Sequence, residues 1–82
     1  MYDLIYSDLA LRQLKRLERE TQRRIIATLE RCRVRPHAHV KKLVSSQYFR
    51  LRAGDWRIIV DIQQNKLLIF VIEVGHRENI YN

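Results

Sequence analysis

Three arginines flank one short turn in the C-terminal half of the chain. Residues 48–57 read YFRLRAGDWR, so that Arg50 and Arg52 precede a Gly-Asp pair and Arg57 follows it. A guanidinium group is a planar fork of hydrogen-bond donors that matches the oxygens of phosphate or carboxylate. The residue types therefore indicate a site for an anionic ligand.

Alternating polar and apolar residues predict that these arginines lie on a β-hairpin. Residues 48–52 form the first strand and residues 56–62 the second, and the turn between them places Arg52 opposite Arg57. Side chains two residues apart share a face, so Arg50 joins the pair. Like charges opposite one another destabilise a sheet, so folding alone does not account for the cluster, whereas an anionic ligand does.

A third strand over residues 67–74 ends at Gly75, where the chain turns back and brings Arg77 and Tyr81 toward the same patch. With Ile62 paired to Leu67, one face of the sheet carries Ile58, Val60, Ile62, Leu67, Ile69 and Val71, and the other carries Arg57, Ile59, Asp61, Leu68, Phe70 and Ile72. The helices are expected to pack against the first face. The second is half apolar, which implies a protein partner or self-association.

Composition favours one small domain that binds a polyanion. The chain has 82 residues, a net charge of +7 and 46% hydrophobic residues. Nucleic acid suits this charge better than a membrane surface, because no basic segment has a separate apolar face. The N-terminus lacks the order of a signal peptide, and no apolar run approaches the ~20 residues of a membrane helix, so we expect a cytoplasmic protein.

The first half of the chain predicts one strand and two helices. Residues 2–6 alternate as a strand, and Ser7 is typical of a helix N-cap. The first helix has an apolar stripe, and the second begins near Thr21 and ends before Pro36. The predicted buried residues are Ala10, Leu11, Leu14 and Leu17 on the first helix and Ile25, Ile26, Leu29 and Cys32 on the second.

The order β-α-α-β-β-β predicts an α+β domain, with a helical hairpin packed on a largely antiparallel four-stranded sheet. Residues 34–47 are expected to form a connecting loop. Its His37-x-His39 pair has no acidic or thiol companion nearby, so both are interpreted as solvated histidines rather than metal ligands. Cys32 is expected to be a core thiol.

Two blocks resemble the signature segments of the RelE/ParE toxin superfamily. Residues 48–59 read YFRLRAGDWRII and residues 73–81 read EVGHRENIY. The element order and the small basic chain agree, so the resemblance spans essentially the full length. It implies a single RelE-like domain over residues 1–82, the toxin of a type II toxin–antitoxin pair.

In the RelE branch, the resemblance implies a ribosome-dependent endoribonuclease, an mRNA interferase that inhibits translation under stress. The ribose 2′-hydroxyl of mRNA in the ribosomal A site attacks the adjacent phosphate without a metal or other cofactor, leaving a cyclic phosphate and a free 5′-hydroxyl. The implied partners are the ribosome with its 16S rRNA, mRNA, and a cognate RelB-type antitoxin that neutralises the toxin in a hetero-oligomer.

The same resemblance assigns catalytic roles to Arg50, Arg52, Arg57, Arg77 and Tyr81, and RNA contacts are expected from Lys41, Lys42 and Tyr48. Some RelE-type toxins have lysines where this chain has Arg50 and Arg52. Arginine does not serve as a general base, because its guanidinium stays protonated. The base is then expected to be Tyr81 or His76.

Two other functions fit the sequence. In the ParE branch, the same fold inhibits DNA gyrase by protein contact and cleaves nothing. A plain nucleic-acid-binding module would use the basic second helix, whose arginines are Arg23, Arg24, Arg31 and Arg33. The arginine set with Tyr81 favours the ribonuclease over gyrase inhibition. The binding module ranks lowest, because its arginines are spread around the helix and no recognisable reading motif accompanies them.

Overall fold

Five strands form one mixed sheet, and two helices cover one of its faces. A computed structural model describes residues 1–76 of the 82-residue chain. The strands are β1 (Asp3–Tyr6), β2 (Lys41–Lys42), β3 (Phe49–Ala53), β4 (Trp56–Gln63) and β5 (Leu68–His76), and the helices are α1 (Asp8–Lys15) and α2 (Arg19–Arg31). Within these residues, neither helix is long and apolar enough to cross a membrane.

The sheet has the strand order β1-β5-β4-β3-β2, so the prediction of four strands was wrong by one. The additional strand is β2, which pairs antiparallel with β3 inside the segment predicted as a loop. It has two residues, too few to show an alternating pattern. The α+β class, the helical hairpin and the three long antiparallel strands are confirmed, and β1 joins β5 in parallel.

Helix α1 begins at the predicted cap. The Ser7 hydroxyl accepts a hydrogen bond from the Ala10 backbone N–H at 2.9 Å, and Asp8 lies in the positively polarised first turn. Ala10 and Leu14 are buried as predicted. Leu11 is 42% exposed, which corrects its assignment to the core. One residue corresponds to about 100° around a helix, so Leu11 lies beside the stripe that meets the sheet.

Helix α2 starts two residues before the predicted position, at Arg19, and supplies the centre of the core. Ile25 and Leu29 are fully buried, and Cys32, which caps the helix, is buried as predicted. Ile26 is 40% exposed for the same angular reason as Leu11, so its predicted burial was wrong. The apolar stripe of each helix is narrower than the sequence pattern indicated.

The two faces of the sheet carry the predicted sets of residues, although the predicted register of the second hairpin was wrong. Ile62 pairs with Ile69 rather than with Leu67. Leu67 lies in the turn with a left-handed backbone at φ 52° and is half exposed. Because the error is two residues, every other assigned side chain keeps its face. We call the face beneath α1 and α2 the helix-covered face and the opposite one the open face.

A bulge interrupts β5 at Ile72. Ile59 pairs with Glu73 and Val60 pairs with Val71, so Ile72 has no partner on β4. The Ile72 carbonyl accepts a hydrogen bond from the Ser7 hydroxyl at 2.7 Å. Two residues further along, the Val74 N–H donates to Gln13 Oε1 at 2.6 Å, so α1 is attached to the strand on both sides of the bulge.

Candidate functional site on the open face

The turn between β3 and β4 brings the three arginines together as predicted. Arg52 and Arg57 are partners in the ladder, and Arg50 lies two residues before Arg52 on the same face. The hairpin closes through Gly54, whose φ of 61° is a conformation that glycine adopts without strain. The three guanidinium groups therefore project from the open face, on adjacent strands.

The neighbouring strands complete a cationic surface. Strand β2 pairs Lys41 with Arg50, which puts the lysine on the open face. On the other side, Gly75 is the partner of Arg57 on β5 and carries no side chain. The arginines thus lie between a further cation on β2 and a glycine on β5.

A cleft of about 170 Å³ opens at the β2 side of this surface. Its walls are His39, Lys41, Arg50 and Arg52. Three of these four residues carry a positive charge, so the cleft suits a small anionic group such as a phosphate. Within the described part of the chain, the Arg50 Nε atom is buried without a hydrogen-bond partner. A buried donor left unpaired is costly, and an oxygen of a bound anion would satisfy it.

Aromatic and polar side chains line the next part of the open face. Tyr48, Asp61, Gln63, Phe70 and Ile72 surround a shallow depression of about 340 Å³. The Gln63 amide donates to Asp61 Oδ2 at 3.2 Å. Tyr48 precedes Arg50 by two residues, so this depression adjoins the cationic surface, and an aromatic ring at its edge suits stacking by an unpaired base.

The apolar residues of the open face are less exposed than the sequence suggested. Leu68, Phe70 and Ile72 are half-buried, and Ile59 is 6% exposed although neither helix within residues 1–76 lies on this face. Ile59 is the ladder partner of Arg50. Long side chains such as arginine cover apolar neighbours with their methylene groups, which contributes to this burial. The exposed apolar surface is correspondingly smaller than expected.

Two of the predicted residues lie elsewhere. The partner of Lys42 is Phe49, so Lys42 belongs to the helix-covered face, where its ammonium lies 6.0 Å from the Phe49 ring and donates to the Ser46 carbonyl. His76 pairs with Trp56 on that same face, with the ring centroids 5.4 Å apart. Both residues therefore lie on the face opposite to the arginines. Arg77 and Tyr81 fall outside the described residues.

Three of the arginines in and after α2 have contacts within the fold. Arg33, just beyond the helix, donates from Nε to the Tyr2 carbonyl at 2.7 Å and from Nη1 to Glu30 at 2.9 Å. Arg24 packs over the β3–β4 turn, where a Cβ on Gly54 would lie 2.8 Å from its guanidinium carbon. Arg31 donates to the Thr28 hydroxyl at 3.2 Å.

His39 is the residue of the cleft that sequence reasoning missed. It was interpreted as a solvated loop residue, and it is exposed, but it forms one wall of the cleft beside Lys41. The His-x-Lys spacing entering β2 is the signal that would have found it, because residues two apart along a strand share a face. Recognising that signal requires β2, which the sequence pattern does not predict.

The fold and site define a small toxin-like α+β domain with a cationic open sheet, and comparison with known proteins identifies its family. A family model described as the ParE toxin of the type II toxin–antitoxin system parDE matches residues 4–81, and the chain belongs to that family. It is a toxin of the RelE/ParE superfamily, of the type II toxin–antitoxin class.

Its relatives agree in fold over nearly the whole chain. A protein from Escherichia coli assigned as a RelE-like toxin is 27% identical, covering 99% of this chain and 90% of its own length. The toxin–antitoxin complex RelBE2 from Mycobacterium tuberculosis has a TM-score of 0.86 at 20% identity, covering 93% of this chain and 98% of the other. The isolated RelE toxin of Escherichia coli has a TM-score of 0.76 at 22% identity, covering 93% of this chain and 84% of the RelE chain.

Proposed function

We propose that this toxin is an endoribonuclease that cleaves mRNA bound in the A site of the ribosome. The observation that carries the proposal is the set of four cations, Lys41, Arg50, Arg52 and Arg57, on one face of a rigid sheet. The reaction joins the 2′-oxygen to phosphorus and releases the 5′-oxygen. Negative charge builds on the phosphate oxygens and the leaving oxygen as this happens, and preorganised cationic donors stabilise such charge.

The four cations form two rows on the sheet, an arrangement that suits the binding of phosphate groups. Arg52 and Arg57 face each other across the ladder, while Arg50 and Lys41 face each other one row away. Rows on one face are two residues apart, about 6.8 Å along a strand. Two rows of cations are thus available to one phosphate and its neighbour, and Tyr48 offers an aromatic edge for a base in the following row.

The test is cleavage of a defined mRNA by the purified toxin, mapped by primer extension, with and without ribosomes. We expect one cut inside the A-site codon, on ribosomes only, with a cyclic phosphate on one product and a 5′-hydroxyl on the other. An mRNA with a single 2′-deoxynucleotide at the cut position should stay intact. Cleavage of that deoxy substrate would contradict attack by the 2′-hydroxyl.

A second candidate is inhibition of DNA gyrase by protein contact, which the match to the ParE family model favours. The discriminating measurement is supercoiling by purified gyrase at toxin concentrations matched to the cleavage assay. Loss of supercoiling with mRNA left whole would support this candidate and refute the ribonuclease. Cleavage of mRNA with normal supercoiling would support the ribonuclease and refute gyrase inhibition.

We also propose that an antitoxin of the RelB type neutralises this protein in a hetero-oligomer in the cytoplasm, where ribosomes are found. The solved relatives include RelB–RelE complexes from Escherichia coli and Pyrococcus horikoshii. The net charge of +7 and the exposed Leu9, Leu11 and Ile26 on the helices suit an acidic amphipathic segment. Co-expression with an acidic neighbouring gene product should restore growth and yield a complex on purification.

A further inference from the structure

His39 is held at the edge of the cationic cleft by the turn that precedes β2. The turn spans Pro36–Ala38, and the His39 N–H donates to the Pro36 carbonyl at 3.1 Å. Pro36 is buried, so the base of the turn is fixed in the fold while the imidazole is exposed. The ring forms one wall of the cleft, and Lys41, Arg50 and Arg52 form the others.

The four residues that line the cleft differ in whether they can accept a proton. Guanidinium and ammonium groups donate hydrogen bonds but have no free lone pair in their charged forms. A neutral imidazole has one nitrogen that accepts a proton and one that donates. His39 is therefore the wall residue equipped to remove a proton from a hydroxyl in the cleft, while its neighbours hold the anionic group to which that hydroxyl adds.

We propose that His39 is the general base of the ribonuclease reaction, an inference that rests on the function proposed above. A ring nitrogen of neutral His39 takes the proton of the ribose 2′-hydroxyl as the 2′-oxygen bonds to phosphorus. The bond between phosphorus and the 5′-oxygen breaks, its electron pair stays on that oxygen, and a proton from water completes the 5′-hydroxyl. The imidazolium then returns its proton to water, so that no other reactant is consumed.

His37 provides a matched control because its ring lies away from the cleft. It is also exposed and belongs to the same turn, but its ring packs edge-on against Phe49 at 5.3 Å. Each of the two histidines can be changed to alanine in an otherwise unaltered chain, and each variant is checked first for an unchanged unfolding temperature.

The experiment is single-turnover cleavage of ribosome-bound mRNA by the wild type and by His39→Ala and His37→Ala. We expect His39→Ala to lower the maximal single-turnover rate constant by about 10²–10⁴-fold, the usual contribution of a general base, with little change in the toxin concentration that gives half of the maximal rate. The control variant His37→Ala should keep a near wild-type rate. Full activity of His39→Ala, or an equal loss in both variants, would overturn the inference.

Two further readouts separate a base from a residue that only shapes the cleft. Free imidazole in the buffer should restore part of the activity of His39→Ala, whereas His39→Gln, which keeps hydrogen bonding without basicity, should stay inactive.

The outcome also separates this inference from the proposed function. If the wild type leaves ribosome-bound mRNA whole, the ribonuclease proposal fails and the role of His39 fails with it. If the wild type cleaves and His39→Ala cleaves equally well, or if free imidazole restores none of the activity of His39→Ala, the ribonuclease stands and His39 is not its base.

Discussion

The two faces of the sheet obey different rules. The helix-covered face follows the rules of stability, since Ile58, Val60, Ile69 and Val71 on β4 and β5 are almost completely buried beneath α1 and α2. The open face, in contrast, places side chains in positions that are unfavourable for stability. There Arg52 and Arg57 are direct partners in the ladder, where like charges are unfavourable, and the Arg50 Nε is buried with no partner among the described residues.

The difference teaches where to look for function in a domain this small. An 82-residue chain has a modest core, so one face of the sheet must supply nearly all of the stability. The other face is then available for groups that destabilise the free protein slightly and stabilise a bound anion. Strand β4 shows the division most simply, because its consecutive residues Arg57 and Ile58 point to opposite faces.

The largest effect on stability should come from the helix-covered face. Ile58 is completely buried, so Ile58→Ala leaves a cavity and should cost about 2–5 kcal/mol of the free energy of unfolding. Thermal unfolding followed by circular dichroism should show a Tm at least about 10 °C lower. A Tm within 2–3 °C of the wild type, about the change expected for a surface site, would refute the division between the faces.

Arg57→Ala should give the opposite result on the adjacent residue. We expect about a hundredfold loss of cleavage rate, since one preorganised electrostatic contact is removed, and a Tm close to that of the wild type. Growth after induced expression reports the loss of toxicity. Arg57→Lys is the matched control that keeps the charge and removes the fork, and it should be intermediate. Loss of toxicity together with a fall in Tm would instead make Arg57 structural.

Ser7→Ala tests the connection between α1 and the bulge in β5. The Ser7 hydroxyl caps the helix and donates to the Ile72 carbonyl, so its removal should cost about 1–2 kcal/mol. Chemical denaturation measures this change. Ser7→Thr keeps the hydroxyl and should recover most of the stability. An unchanged denaturation midpoint in Ser7→Ala would show that the two hydrogen bonds contribute nothing.

The smallest effect should be an alkaline loss of stability traced to Cys32. Burial raises the pKa of this thiol, and Arg31 offsets part of the rise. The pKa of this thiol is higher in the folded than in the unfolded chain, so the protonated thiol favours the folded state. Its contribution to the free energy of unfolding is complete below about pH 8.5 and is lost as the pH rises through the pKa of the folded state. Cys32→Ala should therefore lose less stability than the wild type between pH 7 and pH 10. Parallel pH curves would contradict this.

Much of the fold follows from the sequence because local patterns and packing agree. The Ser7 cap, the burial of Ile25 and Leu29 and the partnership of Arg52 with Arg57 were all predicted correctly. The second hairpin was misregistered because Leu67 reads as a strand residue, whereas its backbone is left-handed. Nothing in the identity of a leucine predicts a positive φ, so that turn is set by the strands it joins.

The site was predicted less completely than the fold. The arginines were found because three like charges around one turn are conspicuous in the sequence. His39 was not, since its position depends on a two-residue strand and on a turn anchored by Pro36. Lys42 was grouped with Lys41, although consecutive strand residues face opposite sides. Residues that act through tertiary placement leave no periodic signal.

The bulge at Ile72 also determines where this chain can change its length. Val71 and Glu73 already pair with consecutive residues of β4, so a chain lacking Ile72 would keep Gly75 opposite Arg57 and Val74 in the core. Loss of Phe70 with the bulge retained would put every residue before it on the wrong face. We expect β5 to accept a one-residue deletion at the bulge around Ile72, with the loss of the Ser7 contact. In evolutionary terms, this strand has one position where an insertion or deletion can be inherited without exchanging the stabilising and functional faces.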